Sequence, residues 1–405
     1  MQTVTEQNIR LNIKVMYKLK EDNMKVPCYV WSKEGSIEQG AIEQIKSVSS
    51  LPFAFHHTVL CPDGHQGYGM PVGGVAALKG VICVNMIGVD IGCGVIAVQS
   101  SLKGLSLDNL KAIMSAIRQK IPLGFNHHKE KQEWGGFDKA PTNMVIRSEL
   151  EKSKYQLGSL GGGNHFIELQ KGSDGFIWIM IHSGSRNFGY KIAKHYNKRA
   201  QDLCRKWHSN IPPLKGEDGL AFFPADSNEG QEYLESMNFA LEFAYANRKH
   251  MLDNCMDAMS DIAGCTFAES INIHHNYASL ENHFGENVWV HRKGATSARK
   301  GEKGLIPGSQ GTKSYVVEGL GNPESFTSCS HGAGRKLSRT KARADLNLEA
   351  EQRILEDQGI LHSIRSKKDL DEATSAYKDI KTVMDEQKDL VNILVELTPL
   401  GVIKG

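Results

Sequence analysis

A glycine-rich turn near residue 90 constrains the fold more strongly than any other part of the sequence. The turn occupies residues 88–94, where three glycines surround Asp90 and Cys93, and it follows an uncharged apolar run at 81–89. β-Branched residues dominate that run, so the sequence predicts a buried strand that ends in the turn. Because glycine permits positive φ angles and close backbone approach, Asp90 and Cys93 can be presented together. A carboxylate beside a thiolate is typical of a metal site, of which these two residues are at most half.

Three histidines in similar surroundings are candidates for the remaining ligands. His165 follows a triple glycine, and His275 lies in a short polar segment. His182 follows an apolar run at 176–181 that predicts a second buried strand. Strand ends hold side chains rigidly, as metal chemistry requires. The competing interpretation is that each histidine is a satisfied structural residue and that Cys93 packs as a small buried hydrophobe. The residues alone leave that choice open.

Glycines in a second group of segments suit an anionic ligand. The backbone N–H groups of residues 161–163, 307–309 and 332–334 are free to face phosphate oxygens. The sequence contains no G-x-x-x-x-G-K-[ST] loop for a nucleoside triphosphate. Segments 171–175 and 215–219 approach the Lys-x-Asp-Gly element of the familiar nucleic-acid ligases, but each has one residue too many. A nucleotide bound covalently to lysine therefore has no motif to support it.

Helical periodicity marks three other parts of the chain. Residues 106–121 predict an amphipathic helix capped by Ser106. Residues 229–262 predict a long helix whose methionine stripe is interpreted as core packing rather than as a cofactor site. The tail at 345–397 is predicted to be largely helical. Residues 125–145 are polar and basic and predict a solvated loop.

Charge and cysteine usage limit the class of protein. The 405 residues carry a net charge of only +2, so nucleic acid binding would need a local basic groove. The eight cysteines are irregularly spaced and fit a reducing cytosol better than a disulfide framework. Residues 1–20 lack the apolar core of a secretory signal, and no run approaches the roughly 20 apolar residues of a membrane span. A soluble cytoplasmic protein without a membrane partner is predicted.

The candidate segments together form a specific pattern that spans nearly the whole chain. Its blocks are residues 62–69, 89–94, 161–168, 182–186, 275–276, 292–295, 307–309, 330–335, 376–379 and 404–405. In content and order these blocks closely resemble the RtcB family of RNA ligases. The resemblance implies an α/β (α+β) fold with central β-sheets, glycine-rich site loops and flanking helices. Since the candidate residues run from 63 to 404, they converge only if residues 1–405 form one domain.

The resemblance implies a GTP- and manganese-dependent ligase. Such an enzyme joins an RNA 3′-phosphate or 2′,3′-cyclic phosphate to a 5′-hydroxyl, through a guanylylated histidine and an RNA-3′-pp-5′-G intermediate. Asp90, Cys93 and His165 would hold one Mn²⁺, and Cys93, His182 and His275 would hold the second. The expected RNA is a transfer RNA or a ribosomal RNA, and the resemblance leaves room for an accessory activating protein.

The other implied roles concern GTP and the phosphates. His331 would be the nucleophile that takes GMP from GTP. Arg186 and Arg335 would grip phosphates, since a guanidinium matches their geometry, and Asp63 would assist catalysis. The residues expected to contact the nucleotide are Asn164, His165, Phe166, Ile167, Glu168, His275, Asn276, Pro307, Gly308, Ser309, Gln310, Ser314, Gly332, Ala333, Gly334, Tyr377 and Lys404.

Some features depart from the family pattern and leave alternatives open. Gln310 stands where the family commonly has methionine, and the basic segment 125–145 has no match that we recognise. Thiolate and imidazole ligands by themselves favour zinc over manganese. A metal-dependent phosphodiesterase acting on RNA ends would need the metal ligands but not His331 or Lys404. A non-catalytic RNA-binding paralogue is the third hypothesis, and the intact set of candidate ligands argues against it.

Overall fold

A computed structural model describes residues 16–211 and 219–405. The predictions made for residues 1–15, and for most of segment 215–219, lie outside these ranges. Within them, no helix combines the length and the apolar character that crossing a bilayer requires.

The described residues form eight α-helices around a mixed set of sheets. The helices are α1 (Gln39–Ser49), α2 (Leu107–Lys120), α3 (Met144–Gln156), α4 (Arg186–Lys206), α5 (Asn228–Ala263), α6 (Arg339–Asp345), α7 (Leu348–Glu356) and α8 (Ile380–Glu386). The strands are β1 (Met16–Leu19), β2 (Cys28–Trp31), β3 (Ala54–His65), β4 (Val72–Leu78), β5 (Val81–Cys83), β6 (Gly94–Gln99), β7 (Phe166–Gly172), β8 (Ile177–Ser183), β9 (Phe222–Pro224), β10 (Ile271–His274), β11 (Asn276–His283), β12 (Glu286–Lys293), β13 (Ala295–Ser297), β14 (Lys303–Ile306), β15 (Ser314–Gly319), β16 (Ser328–Ser330) and β17 (Val391–Lys404).

Two large sheets carry most of the described strands. One has the order β1-β2-β3-β4-β12-β11, and the other has the order β10-β6-β8-β7-β17-β15-β14. Two small pairs, β13-β16 and β5-β9, complete the set. Only β2 and β3 pair in parallel; the other described strand pairs are antiparallel. The α/β class with several sheets and flanking helices, expected from the sequence, is confirmed.

The helices at 106–121 and 229–262 are confirmed, with clear local causes. Ser106 caps α2 by accepting a hydrogen bond from the Asn109 N–H, and the apolar face of that helix is buried. Leu107 is an exception, since it is exposed. α5 has 36 residues and ends at Gly264, whose φ of 63° lies in the left-handed region that glycine tolerates. The methionine stripe of α5 is buried in the core, as predicted.

The strand predicted at 81–89 is wrong in its extent. β5 covers only three residues, and a short 3₁₀ helix at 84–86 follows it. Gly88 and Gly92, with φ of 95° and 73°, then turn the backbone away, and Val89 is exposed. The glycine turn therefore leads into a strand, β6, rather than closing one. The uncharged composition of 81–89 did not reveal this, because a buried turn and a buried strand are equally apolar.

The helical prediction for the tail is correct only in part. α7, α8 and two 3₁₀ turns lie within 345–397, but the chain from Val391 onward is the strand β17. β-Branched residues are frequent in β17, which lies between β15 and β7 and is bulged around Pro399. Its register pairs Lys404 with Phe166. A central strand thus delivers the C-terminus to the glycine-rich segments.

A glycine-rich segment and the predicted loop at 125–145 both contain more regular structure than their composition indicates. Strand β3 extends to His65, so the first half of the glycine-rich segment at 61–69 is strand, interrupted by a register shift after Leu60. The segment 125–145 is not wholly solvated. It contains a 3₁₀ helix at 135–139, and the ring of Trp134 packs against Phe239 of the core. The prediction failed because it used the average polarity of the segment, whereas two of its aromatic residues pack against the core.

Candidate active site

Adjacent strand ends of the seven-stranded sheet bring the predicted metal ligands together. β6 lies between β10 and β8, and β7 pairs with the other side of β8. Cys93 directly precedes β6, and His275 directly follows β10. His182 lies near the end of β8, opposite Phe166, and His165 comes immediately before that residue. Together with Asp90, which lies three residues before Cys93, five candidate ligands from four segments of the sequence therefore meet at one edge of a sheet.

The ligand atoms form two groups that share one sulfur. Asp90, Cys93 and His165 make the first group, and Cys93, His182 and His275 make the second, with each group's ligand atoms within 4.8 Å of one another. Cys93 Sγ lies 3.4 Å from Nε2 of His165 and 3.2 Å from Nε2 of His182. Asp90 Oδ2 lies 3.1 Å from Nε2 of His165. The two Nε2 atoms of His182 and His275 are 3.4 Å apart.

The imidazoles are prepared as neutral ligands. Burial lowers the pKa of His182 and of His275 well below the ordinary value. His182 Nδ1 lies 3.2 Å from the carbonyl oxygen of Asn164, so Nδ1 donates the proton and Nε2 keeps its lone pair. That lone pair faces Cys93 and His275. Two nitrogen lone pairs at this distance repel each other, and a cation bound between them would turn that repulsion into attraction.

The carboxylate and the thiol also fit a metal. Burial raises the pKa of the Cys93 thiol well above its usual range, so a thiolate needs positive charge in the site. Burial acts to raise the pKa of Asp90 as well, but the hydrogen bond with His165 and its charge hold it below the ordinary value. The other oxygen, Asp90 Oδ1, is buried without a hydrogen-bond partner. Both candidate groups therefore fit the metal dependence that the resemblance implies.

Asp63 holds His331 beside these ligands. The carboxylate Oδ2 of Asp63 accepts hydrogen bonds from His331 Nδ1 at 2.7 Å, from the His331 backbone N–H at 3.1 Å and from the Gly332 N–H at 3.3 Å. Asp63 is completely buried. Since Nδ1 donates its proton to Asp63, Nε2 of His331 carries a lone pair. The rings of His331 and His275 lie 4.6 Å apart, which places the imidazole next to the second ligand group.

One cavity joins the ligands to the glycine-rich segments. Its volume is about 630 Å³, and both His331 and Cys93 line it. This volume lies within the range of small-molecule and nucleotide sites. The other predicted site residues along its wall are Asp90, Asn164, Phe166, Glu168, His182, His275, Asn276, Pro307, Gly308, Ser309, Gln310, Gly332, Ala333, Gly334, Arg335, Tyr377 and Lys404.

Ile167 and Ser314 lie behind the cavity wall, whereas Gln310 is part of the wall and is held from behind. Ile167 is buried in the apolar core, because successive residues of β7 face opposite sides of the sheet. Ser314 accepts a hydrogen bond at 3.1 Å from the Gly308 N–H, so it shapes the loop of 307–310 from behind. Gln310 is buried, and its amide donates a hydrogen bond of 2.8 Å to the carbonyl of Glu372. Gln310 therefore ties this loop to the tail.

The two predicted phosphate arginines are engaged with the protein. Arg186 donates to Ser159 Oγ at 3.0 Å and to the Gly124 carbonyl at 2.5 Å. Arg335 lies 3.3 Å from a carboxylate oxygen of Glu372 and also donates to the Asp371 carbonyl. A phosphate would have to compete with these partners.

One part of the cavity wall, called the far wall below, is formed by Glu168, Glu372, Tyr377 and Lys404. Burial and pairing set the charges of these side chains. Burial raises the pKa of Glu168 to about 8, so this side chain is largely uncharged at neutral pH. Burial lowers the pKa of Lys404, whose Nζ lies 3.6 Å from Glu372. Glu372 also accepts a short hydrogen bond from the hydroxyl of Tyr377. The wall thus combines a neutral carboxyl group with a paired cation.

Sequence reasoning missed two buried residues that organise the site. Glu372 anchors the far wall, and its only sequence signal is its position five residues before Tyr377. Arg248, fully buried on α5, donates to the carbonyls of Gly92 at 2.8 Å and Ser183 at 2.9 Å. These carbonyls adjoin two of the metal ligands. An arginine among apolar helix positions was the signal that could have revealed it.

Known proteins match this chain over nearly its whole length. The family model described as tRNA-splicing ligase RtcB matches residues 44–135 and 126–405. The chain is 38% identical to RNA-splicing ligase RtcB of Escherichia coli K12, over 94% of this chain and 97% of that protein. This chain belongs to the RtcB family. The family assignment predicted from the sequence is thereby confirmed.

Other RtcB proteins extend the similarity to archaea and to other bacteria. The tRNA-splicing ligase RtcB of Methanococcus maripaludis is 31% identical, over 96% of this chain and 97% of that protein. The RNA-splicing ligase RtcB of Mycobacterium tuberculosis is also 31% identical, over 89% of this chain and all of that protein. The residues that the family model matches include every candidate metal ligand.

Proposed function

We propose that this RtcB protein is an RNA ligase that joins RNA 3′-phosphate or 2′,3′-cyclic phosphate ends to 5′-hydroxyl ends, with GTP as the source of energy. Residues 1–405 act as one catalytic domain. The cytoplasm is the proposed compartment, because the eight cysteines are buried and free of disulfides. Curated relatives named RNA-splicing ligase and tRNA-splicing ligase support the reaction class.

The pairing of His331 with Asp63 beside two candidate metal groups is the observation that carries this proposal. The metal ligands alone would serve a phosphodiesterase, whereas an imidazole with a free Nε2 beside them also offers a nucleophile for a bound nucleotide. The Asp63 carboxylate fixes both the ring and the tautomer of His331, as an orienting acid does for a catalytic histidine. The Nε2 lone pair then lies in a cavity lined by backbone of 307–310 and 332–334. This arrangement is suited to attack on a bound nucleotide.

His331 would act first. Its Nε2 attacks the α-phosphorus of GTP, an N–P bond forms, and the bond to the bridging oxygen breaks so that pyrophosphate leaves. The proton on Nδ1 stays in the hydrogen bond to Asp63, whose negative charge stabilises the imidazole as it becomes positive. Bound metal ions would supply positive charge that offsets the charge gathering on the phosphate oxygens.

The remaining steps transfer GMP to RNA and then expel it. An oxygen of the RNA 3′-phosphate attacks the phosphorus held by His331, the N–P bond breaks, and RNA-3′-pp-5′-G forms. The 5′-hydroxyl oxygen of the second RNA then attacks the activated 3′-phosphorus, gives its proton to water, and displaces GMP. The new phosphodiester joins the two strands. Glu168, Tyr377 and Lys404 would contact the guanylate along the far wall.

The metal proposal names two Mn²⁺ ions. Asp90, Cys93 and His165 would hold one ion, and Cys93, His182 and His275 would hold the other, with the Cys93 thiolate between them. Thiolate and imidazoles by themselves favour zinc, so the choice of manganese rests on the family. Transfer RNA and ribosomal RNA are the proposed substrates, and an accessory activating protein is compatible with the family.

A ligation assay tests the proposed function. An RNA ending in 3′-phosphate is incubated with a labelled RNA that begins with 5′-hydroxyl, in the presence of GTP and Mn²⁺. A longer labelled product should form, and omission of GTP or metal should abolish it. Processing of a cyclic phosphate end without GTP and without joining would instead indicate a phosphodiesterase. The His331→Ala variant should keep its metal and lose all joining.

A further inference from the structure

The helix that begins at the active site is strongly basic. α4 contains seven basic residues and one acidic residue, a charge of +6 in a chain whose net charge is +2. The rest of the chain together therefore carries −4. Charge concentrated in this way creates a local potential that the net charge conceals.

The basic residues on α4 differ in how they are engaged. Arg199 and Arg205 each form an ion pair, with Glu229 and Asp202 respectively. By contrast, Lys191, Lys194 and Lys198 are exposed and have no carboxylate partner within the described part of the chain. Their spacing of three and four residues places them in one row along the solvent face of the helix.

The helix that carries this row starts next to the candidate metal ligands. α4 follows β8 after a two-residue connection, and β8 carries His182. The first residue of the helix, Arg186, donates a hydrogen bond to the carbonyl of Gly124 in a neighbouring turn. The next residue in that turn is Phe125, whose exposed fraction of 104% makes it the most exposed large apolar side chain in the described ranges.

The turn that presents Phe125 is held in place from several sides. The Asn126 N–H donates to the Leu123 carbonyl at 3.2 Å, and Gly124 adopts a φ of 66°. After the turn, the His128 N–H donates a hydrogen bond of 2.9 Å to the backbone carbonyl of Tyr155 in α3. The Phe125 ring is thus displayed on an anchored turn instead of packing against the core. An aromatic ring in this position can stack on an unpaired base.

We propose that α4 and the Phe125 turn form an RNA-binding surface that leads away from the ligation site. Phosphates of a single-stranded segment lie along Lys191, Lys194 and Lys198, and one unpaired base stacks on Phe125. This inference rests on the proposed function, because it takes RNA as the substrate. Beyond the proposed function, it states the path of the RNA strand across the protein. It also requires that the RNA nucleotides near the ligation site be unpaired.

The opposite face of α4 favours RNA over a membrane surface. Phe188, Ile192 and Tyr196 point into the core, so the helix has no apolar face left to insert into lipid. A row of lysines without carboxylate partners matches a phosphate backbone, and the exposed ring of Phe125 matches a base. An acidic protein is the alternative partner for this surface, and direct measurement of RNA binding distinguishes the two.

Removal of the three lysine charges tests the surface. The triple variant Lys191→Gln, Lys194→Gln, Lys198→Gln is compared with wild type in binding of a fluorescein-labelled single-stranded RNA with a 3′-phosphate, measured by anisotropy across a salt series. The RNA Kd should rise at least about tenfold, and the slope of log K against log salt should fall by about 2, since each phosphate contact on a single strand contributes about 0.7. Self-guanylylation without RNA should stay at the wild-type rate.

The matched control removes the same charge elsewhere. Lys300→Gln, Lys303→Gln, Lys381→Gln changes three exposed lysines on parts of the chain that do not pack against α4. It should retain the wild-type Kd and salt slope. Equal loss of RNA binding in both triple variants would overturn the proposal, and so would unchanged binding in the α4 variant, which would leave an acidic protein as the partner.

Phe125 provides an independent arm. Phe125→Leu keeps an apolar side chain but removes the ring, so RNA affinity should fall about fivefold or more, while Phe125→Tyr should restore it. Equal affinity of the leucine and tyrosine variants would overturn the stacking contact. If wild-type protein fails to guanylylate itself, the proposed function fails, but the RNA-binding comparison still decides whether this surface binds RNA.

Discussion

Replacing Asp63 by asparagine should slow the transfer of GMP to His331 by about 100-fold without removing the metals. Asp63 is fully buried, and its Oδ2 accepts three N–H groups, two of them from His331. Its pKa is held below the ordinary value, against the effect of burial, by the hydrogen bond from His331. The side chain is therefore a carboxylate at neutral pH and faces the imidazole with a full negative charge.

The magnitude follows from the bond between Asp63 and Nδ1 of His331, which is 2.7 Å long. A hydrogen bond to a charged group contributes about 1.5–3 kcal/mol, and this one strengthens as the imidazole becomes positive during attack. A loss of about 3 kcal/mol in the transition state corresponds to roughly 100-fold in rate. An amide N–H turned toward Nδ1 would also move the imidazole proton to Nε2 and remove the attacking lone pair.

The assay is a time course of covalent labelling with α-labelled GTP, in parallel with metal analysis of the same protein. Asp389→Asn is the matched control, since Asp389 accepts a hydrogen bond from the indole of Trp31 outside the cavity; it should label at the wild-type rate. Labelling of Asp63→Asn within about threefold of wild type would refute the positioning role. Loss of metal in step with labelling would show instead that Asp63 supports the ligand groups.

Three further predictions concern the ligands and the buried charges. Cys93→Ala should lose both metal ions, as measured by elemental analysis, because Cys93 belongs to both ligand groups; retention of one ion at full occupancy would contradict the bridge. Arg248→Met should lower the free energy of unfolding by about 3 kcal/mol, measured by denaturant titration, because it removes the charged hydrogen bonds that Arg248 donates to the buried carbonyls of Gly92 and Ser183; an unchanged midpoint would contradict this. Glu168 has a folded pKa of about 8, raised by burial from 4.5, so the folded state binds the extra proton and stability should fall as pH rises from about 4.5 to 8. Glu168→Gln should be less sensitive to pH over that window, and parallel pH profiles for both proteins would count against the raised pKa.

The candidate ligands could be predicted from the sequence because their chemistry is local. Asp90 and Cys93 share a glycine turn, and His165 and His182 lie beside glycines or a strand end, so each carries a signal within a few residues. Helices α2 and α5 were equally readable from periodicity. The family resemblance then joined segments that no local pattern can join, and added His331.

What the sequence did not reveal depends on contacts between distant residues. Asp63 could only be a weak candidate until its carboxylate was seen against His331, 268 positions away. Arg248 and Glu372 act through hydrogen bonds to other segments, which leave no periodic trace. The first half of β17, residues 391–397, was included in the predicted helical tail because a short apolar run fits either a helix or a strand, and its pairing with β7 and β15 decides the outcome. The hydrogen bonds that Arg186 and Arg335 make to other parts of the protein likewise exist only in the folded chain.

Location of the guanylate on the protein tests the central claim most directly. After incubation with GTP and Mn²⁺, the protein is digested and the peptides are analysed by mass spectrometry under conditions that preserve phosphoramidate bonds. GMP should be found on His331, and the His331→Ala variant should carry none while retaining its metals. GMP on a different residue, or ligation of 3′-phosphate RNA by the His331→Ala variant, would contradict the assignment of His331 as the nucleophile.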